Sequence, residues 1–182
     1  QEALEIIFAP QYRFNWRKGF SRENLRALIH FRHNTLWAAR AYAGLSDIAR
    51  TSGDLMAAAE RMCIALKEFE TRESTAEVAD AYQRLGIIYR TAGNSDVAED
   101  MHKAALALYE KIARRDGIAD SLGNLGMTLG VREDYEGALS QHRRSLRLNL
   151  QLARETAVAD QFVNLGIIHH MRGDLASSER SF

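Results

Sequence analysis

Apolar residues recur along most of this chain at spacings of three and four, which is the period of one face of an α-helix. In residues 78–117 two such stripes follow one another, separated by the polar break Ala92-Gly93-Asn94-Ser95. Glycine at such a break ends one helix, and Asn or Ser just after it caps the next. The pattern therefore predicts two helices joined by a short turn.

This helix pair is repeated at a constant interval along the chain. Leu45, Leu85, Leu125 and Leu165 are 40 positions apart, and Ser46, Gly86, Gly126 and Gly166 follow them. A fixed period of this size indicates a solenoid of stacked helix pairs. The sequence predicts an all-α chain with units at 35–74, 75–114, 115–154 and 155–182, the last truncated, after an N-terminal cap or degenerate unit at 1–34.

The motif Tyr82-x-x-Leu85-Gly86-x-x-Tyr89, followed by Ala98-x-x-x-His102, resembles the tetratricopeptide repeat. The chain departs from that pattern because its period is 40 instead of 34, and because other residues replace the usual Trp and Phe. The longer unit is similar to the repeats of Pins/LGN-type polarity adaptors and of kinesin light chain. The resemblance implies a right-handed α-solenoid that binds a partner protein.

In such a solenoid the first helix of each pair lines the concave side. The first-helix residues outside the packing stripe form the predicted partner-binding groove, and they are Arg50, Asp80, Gln83, Arg84, Ile87, Arg90, Asp120, Asn124, Met127, Asp160, Asn164, Ile167 and His170. In the adaptor families that the chain resembles, an Asn in the column of Asn124 and Asn164 holds the main chain of an extended peptide. We expect Ile87, Met127 and Ile167 to bury an apolar anchor of that peptide.

Charged residues in the groove allow two interpretations. Arg50, Arg84 and Arg90 could gather at one end of the groove and favour a partner with acidic residues. Alternatively, these are solvated side chains, and Asp80, Asp120 and Asp160 pair with neighbouring arginines.

The N-terminal segment does not fit the repeat. Aromatic and basic residues alternate from Tyr12 to Phe20, and a cap over the open end of the solenoid is favoured over a nucleic-acid or membrane contact. We expect a helix to start at Ser21 and a separate one at Thr35, with Trp37 packed against the helix before it. His30 and His33, three residues apart, are interpreted as ordinary histidines and not as a metal pair.

Composition excludes several classes of function. The 24 basic and 24 acidic residues cancel, so overall charge indicates neither nucleic acid nor an anionic membrane as a partner. The single cysteine, Cys63, cannot form an intramolecular disulfide and is predicted to be buried; it mildly favours a reducing, cytoplasmic location. No phosphate-binding loop, nucleophile elbow, HExxH or paired-cysteine motif occurs, so we predict neither an enzyme nor a cofactor.

The sequence therefore predicts a protein–protein interaction scaffold or adaptor that binds a peptide or helix in its concave groove. One alternative is a sensor or regulatory segment of a larger signalling or transcription-regulatory protein. Another is a self-assembling structural module. The fourth unit stops at Phe182 before its second helix is complete. We expect from this a fragment of a longer protein, and self-association through the uncovered apolar face.

Overall fold

The computed structural model describes residues 22–174 and 177–178, with side chains from residue 36 onward. Seven helices account for nearly all of this part of the chain, and it contains no strand. The helices are α1 Arg22–Thr51, α2 Leu55–Thr71, α3 Thr75–Thr91, α4 Ser95–Lys111, α5 Arg115–Val131, α6 Tyr135–Gln151 and α7 Glu155–Met171. The predicted all-α class is confirmed.

The helices repeat with the period seen in the sequence. Helices α2, α4 and α6 start at equivalent positions in successive units, as do α3, α5 and α7, and each of these helices has 17 residues. Every helix packs against the next one along the chain. Helix α5 also contacts both α3 and α7, so the first helices approach one another more closely than the second helices do. The first helices therefore lie on the inner side of the curve.

The turns use the residues that the sequence singled out. Between the first and second helix of a pair, Gly53, Gly93 and Gly173 have φ values of 87°, 82° and 83°. Glycine adopts this left-handed conformation without steric cost, whereas Glu133 occupies the equivalent position with φ 64°. The next residue caps the second helix, as when Asp134 accepts a 2.9 Å hydrogen bond from the Gly137 amide.

Small residues allow the two helices of a pair to approach. Gly86 and Ala98, which stand on the two helices of one pair, are both buried. A Cβ atom on Gly86 would lie 2.4 Å from Cε1 of His102, and one on Gly126 would lie 2.8 Å from Nε2 of His142. These glycines therefore leave room for an imidazole ring from the second helix.

Three expectations about local structure were wrong. Helix α1 is continuous through Thr35, because residues 22–43 contain neither Gly nor Pro and a capping residue alone does not end a helix. Trp37 is 68% exposed, since no separate helix precedes it. Cys63 is exposed because it lies on the outer face of α2, whereas its neighbour Met62 is fully buried. Partial desolvation nevertheless raises the pKa of the Cys63 thiol.

The predictions for residues 1–20, and those for the side chains of His30 and His33, lie outside the described part of the chain.

Candidate functional site

The predicted groove residues lie on the first helices, and none of them is buried in the core. Most are half-buried, and these are Arg50, Asp80, Gln83, Arg84, Ile87, Arg90, Asp120, Asn124, Met127 and Asn164. Asp160, Ile167 and His170, all on α7, are exposed. Each of these side chains is therefore at least partly exposed to solvent.

Ion pairs link neighbouring repeats along this face. Asp80 on α3 accepts from Arg114 at 3.1 Å, and one repeat later Asp120 accepts from Arg154 at 2.8 Å. Arg114 is the residue immediately before α5, and Arg154 is the residue immediately before α7. These two pairs agree with the alternative interpretation, in which the aspartates are bound by neighbouring arginines.

The three groove arginines have different surroundings. Arg84 donates a 2.7 Å hydrogen bond to Asp47 on α1, which neutralises its charge. Burial lowers the pKa of Arg90, and its Nε has no hydrogen-bond partner among the described residues. The Arg90 charge also helps to lower the pKa of His102, so the two side chains are near each other. Arg50 is half-buried at the end of α1.

Tyr109 supports the Asp80 pair from the second helix. Its hydroxyl donates to Asp80, and the guanidinium of Arg114 stands 5.3 Å from the centre of its ring. Desolvation, with the adjacent Asp80 carboxylate, raises the pKa of Tyr109. A Cβ on Gly117 would lie 2.5 Å from the Tyr109 ring, so this glycine admits the ring. Tyr109, Arg114 and Arg154 were not predicted from the sequence, although the same Asp and Arg positions recur in consecutive units.

Asn124 and Asn164 occupy the same position in successive first helices. Both are half-buried, and the side-chain amide of neither forms a hydrogen bond with another described residue. Met127 and Ile167 follow them by three residues and lie close to the same face of each helix. In contrast, Gln83 accepts a 3.3 Å hydrogen bond from Ser121. The two asparagines thus keep donor and acceptor atoms available to a ligand.

A cavity of about 560 Å³ opens between α1 and α3. Its lining comes from α1, α3, the underlying α2 and the residue before α5, and consists of Arg40, Ala43, Gly44, Asp47, Met62, Phe69, Ala76, Glu77, Asp80, Ala81, Arg84 and Arg114. Arg40 and Glu77 form a 3.1 Å ion pair at one end, and Asp47 and Arg84 form the pair described above at the other. This cavity was not predicted from the sequence.

Two fully buried histidines on the second helices pack against glycines of the first helices. His102 is 0% exposed, and neither ring nitrogen has a hydrogen-bond partner in the described residues. Burial, with a smaller effect of the Arg90 charge, lowers its pKa to about 4. His142 is also fully buried, but its Nδ1 is 2.9 Å from Oε1 of Gln161 on α7. Burial lowers the pKa of His142 as well.

Two kinds of site are not found in the part of the chain that the structure describes. Within residues 22–174 and 177–178, no group of three His, Cys, Asp or Glu side chains could hold a metal ion. No described helix combines the length and the apolar character needed to cross a membrane.

Comparisons with known proteins agree with this architecture. Residues 77–151 match the tetratricopeptide repeat family. No curated protein matches the chain. The fold is similar to the crystal structure of BtubC (BKLC) from P. vanneervenii, with a TM-score of 0.72 and 21% identity over 86% of this chain and 69% of that one. It is also similar to aspartyl phosphate phosphatase F from Bacillus subtilis, with a TM-score of 0.75 and 10% identity over 87% of this chain and 43% of that one.

At these identities the two structures establish the fold alone. The family match covers all but the first two residues of the second helix pair, the whole of the third and the turns between them. The same helix lengths and turns extend on both sides of the matched segment, in α2 and α7. Residues 77–151 therefore have the sequence of tetratricopeptide repeats, and the helices on both sides of them have the same fold.

Proposed function

We propose that this chain is an interaction module that holds an extended peptide of a partner protein on the inner face of α3, α5 and α7. The observation that carries the proposal is the pair of asparagines, Asn124 and Asn164, which lie in successive first helices without hydrogen-bond partners among the described side chains. A side-chain amide offers a donor and an acceptor together, which suits the main chain of a peptide.

The spacing of the two amides fits an extended ligand. Packed helices are about 8–10 Å apart, and an extended chain advances about 3.3 Å per residue. Asn124 and Asn164 would therefore reach main-chain groups about three residues apart in the peptide. Half-buried Met127 and Ile167, which is 44% exposed, would contact apolar side chains between these points. A preference for acidic partners would depend on Arg50 and Arg90, since Arg84 is neutralised by Asp47.

A displayed library of random 12-residue peptides, selected on the purified chain, supplies ligands for the test. Affinities are then measured by fluorescence anisotropy for the native chain and for Asn124→Ala/Asn164→Ala. We expect the double variant to bind at least about tenfold more weakly, because two hydrogen bonds to the peptide main chain are lost.

The matched control removes two amides from the outer helix α6, as Gln141→Ala/Gln151→Ala. These side chains contact Arg144 and Arg115 and are not on the inner face. The control should bind like the native chain. Equal affinities for all three proteins, with unchanged circular dichroism spectra, would refute the proposed groove.

Self-association is a second candidate, because α7 carries exposed apolar side chains. Phe162 is 42% exposed, Val163 45% and Met171 48%. Apolar surface of this kind favours contact with a second copy. Sedimentation over a hundredfold range of concentration should then give a rising mass for the native chain, and Phe162→Ser should reduce it. A constant monomer mass would eliminate this candidate.

A further inference from the structure

We infer that the cavity at Gly44 receives one large apolar side chain of the peptide. This inference rests on the proposed peptide-binding function and adds a specificity pocket to it. The pocket lies between α1 and α3, in the two repeats that precede those of the asparagines. The occupant is therefore a segment of a partner protein with an apolar residue N- or C-terminal to the part held by Asn124 and Asn164.

Gly44 has no packing role that would explain it. Six other helical glycines are closely packed. If one of them carried a Cβ atom, that atom would lie within 3.2 Å of a neighbouring side chain; they are Gly86, Gly117, Gly123, Gly126, Gly130 and Gly137. A Cβ on Gly44 would have nothing within 4 Å. Glycine in a helix interior is unfavourable compared with alanine, and it is common where a ligand approaches the backbone. The chain therefore tolerates a weaker helix here and leaves the surface open.

The equivalent positions in the other repeats are filled. Gly44 corresponds to Arg84, Asn124 and Asn164, which all have larger polar side chains. At Gly44 the missing side chain exposes the space between the Arg40–Glu77 and Asp47–Arg84 ion pairs. The cavity of about 560 Å³ is within the range of small-ligand pockets, about 300–1,000 Å³, and is large enough for one side chain.

The charges around the pocket favour a neutral occupant. The lining has three arginines and three carboxylates, and every one is in an ion pair: Arg40–Glu77, Arg84–Asp47 and Arg114–Asp80. A charged ligand group would find no unpaired counter-charge among these residues. An apolar side chain would instead lose its contact with water against Gly44 and Ala76, which are accessible, whereas Met62 and Phe69 in the same lining are buried. Because the charges of the lining are paired, the pocket favours an apolar side chain over a charged one.

The test fills the pocket with leucine. Gly44→Leu adds a side chain where the structure has space, so the folded state should be at least as stable as that of the native chain. The probes are the library-selected peptides that bind the native chain, each prepared also with its apolar residues replaced singly by alanine. We expect Gly44→Leu to weaken binding about 10- to 100-fold, and one alanine-substituted peptide to lose a similar factor against the native chain. That peptide should lose little further affinity when tested against Gly44→Leu.

Ala107→Leu is the control, since Ala107 is exposed on the outer helix α4. It should leave binding unchanged. If Gly44→Leu binds every peptide like the native chain while Asn124→Ala/Asn164→Ala does not, the pocket is refuted and the groove stands. If neither variant affects binding, both proposals fail. If the native chain dimerises and Gly44→Leu abolishes the dimer without changing peptide affinity, the occupant is a second copy and the inference is overturned.

Discussion

Acidification from pH 7 to pH 5 should destabilise this protein through His102. The imidazole is fully buried, and protonation would place a positive charge near Arg90 without a hydrogen-bond partner from the described residues. In the unfolded chain the same imidazole is solvated and keeps its ordinary pKa of about 6.5. The folded protein therefore binds the proton less strongly than the unfolded one.

The size of this effect follows from the difference in pKa. A folded-state pKa of about 4, against 6.5 in the unfolded chain, corresponds to about 3.4 kcal/mol at about 1.36 kcal/mol per unit. Because the unfolded state binds more protons between these values, this stability is present above pH 6.5 and is lost as the pH falls towards 4. About 2 kcal/mol of it should be lost between pH 7 and pH 5.

Urea denaturation followed by circular dichroism at pH 7.0, 6.0 and 5.0 measures this loss. His102→Phe removes the titrating group and keeps a ring in the space beside Gly86. The free energy of unfolding of this variant should therefore change much less between pH 7 and pH 5. His142, whose pKa is also lowered by burial, should account for the rest, and His102→Phe/His142→Phe should be nearly flat.

Carboxylates with lowered pKa values, such as Glu77 and Glu99, lose their stabilising charge mainly below pH 4.5 and contribute little to this interval. A native stability that does not change from pH 7 to pH 5 would contradict the reasoning. A slope that His102→Phe leaves intact would contradict its assignment to His102.

Three further substitutions test the packing and the turns, with the free energy of unfolding from urea denaturation as the common measurement. Gly86→Ala should lower it by about 1–3 kcal/mol, because the new Cβ would lie 2.4 Å from His102, and an unchanged value would refute that contact. Glu133→Gly should raise it by about 0.5–1 kcal/mol, because φ is 64° where the equivalent turns have glycine; a decrease would mean that the Glu133 side chain stabilises the turn. Asp134→Ala should lower it by about 1 kcal/mol through loss of the hydrogen bond from Gly137, and exposed Ser140→Ala, within the same helix, should have little effect.

Much of the fold was predictable because its determinants are local and repeated. The spacing of Leu85 and Tyr89 defines a helix face, and Gly93 with Asn94 marks where one helix ends and the next begins. Equivalent positions recur in each following unit, so the period and the helix boundaries could be read from the sequence. The continuity of α1 through Thr35 was not predicted, because Thr35 was interpreted as a cap although no helix breaker stands beside it.

The sequence predicted which residues line the groove. It did not predict the ion pairs among them, because these depend on which side chains of neighbouring repeats are in contact. Asp80 and Arg114 are 34 residues apart, and Asp47 and Arg84 are 37 apart, so the packing angle between first helices determines these pairs. The sequence places both Gly44 and Gly86 inside helices and does not distinguish them. In the structure Gly86 packs against His102, whereas Gly44 has no neighbour within 4 Å of the position of a Cβ atom. The sequence by itself determined the repeat, its helices and its turns, since these follow from neighbours along the chain. Only the tertiary structure decided which charges are neutralised, which histidines are buried and where the inner face is open, since these depend on neighbours in space.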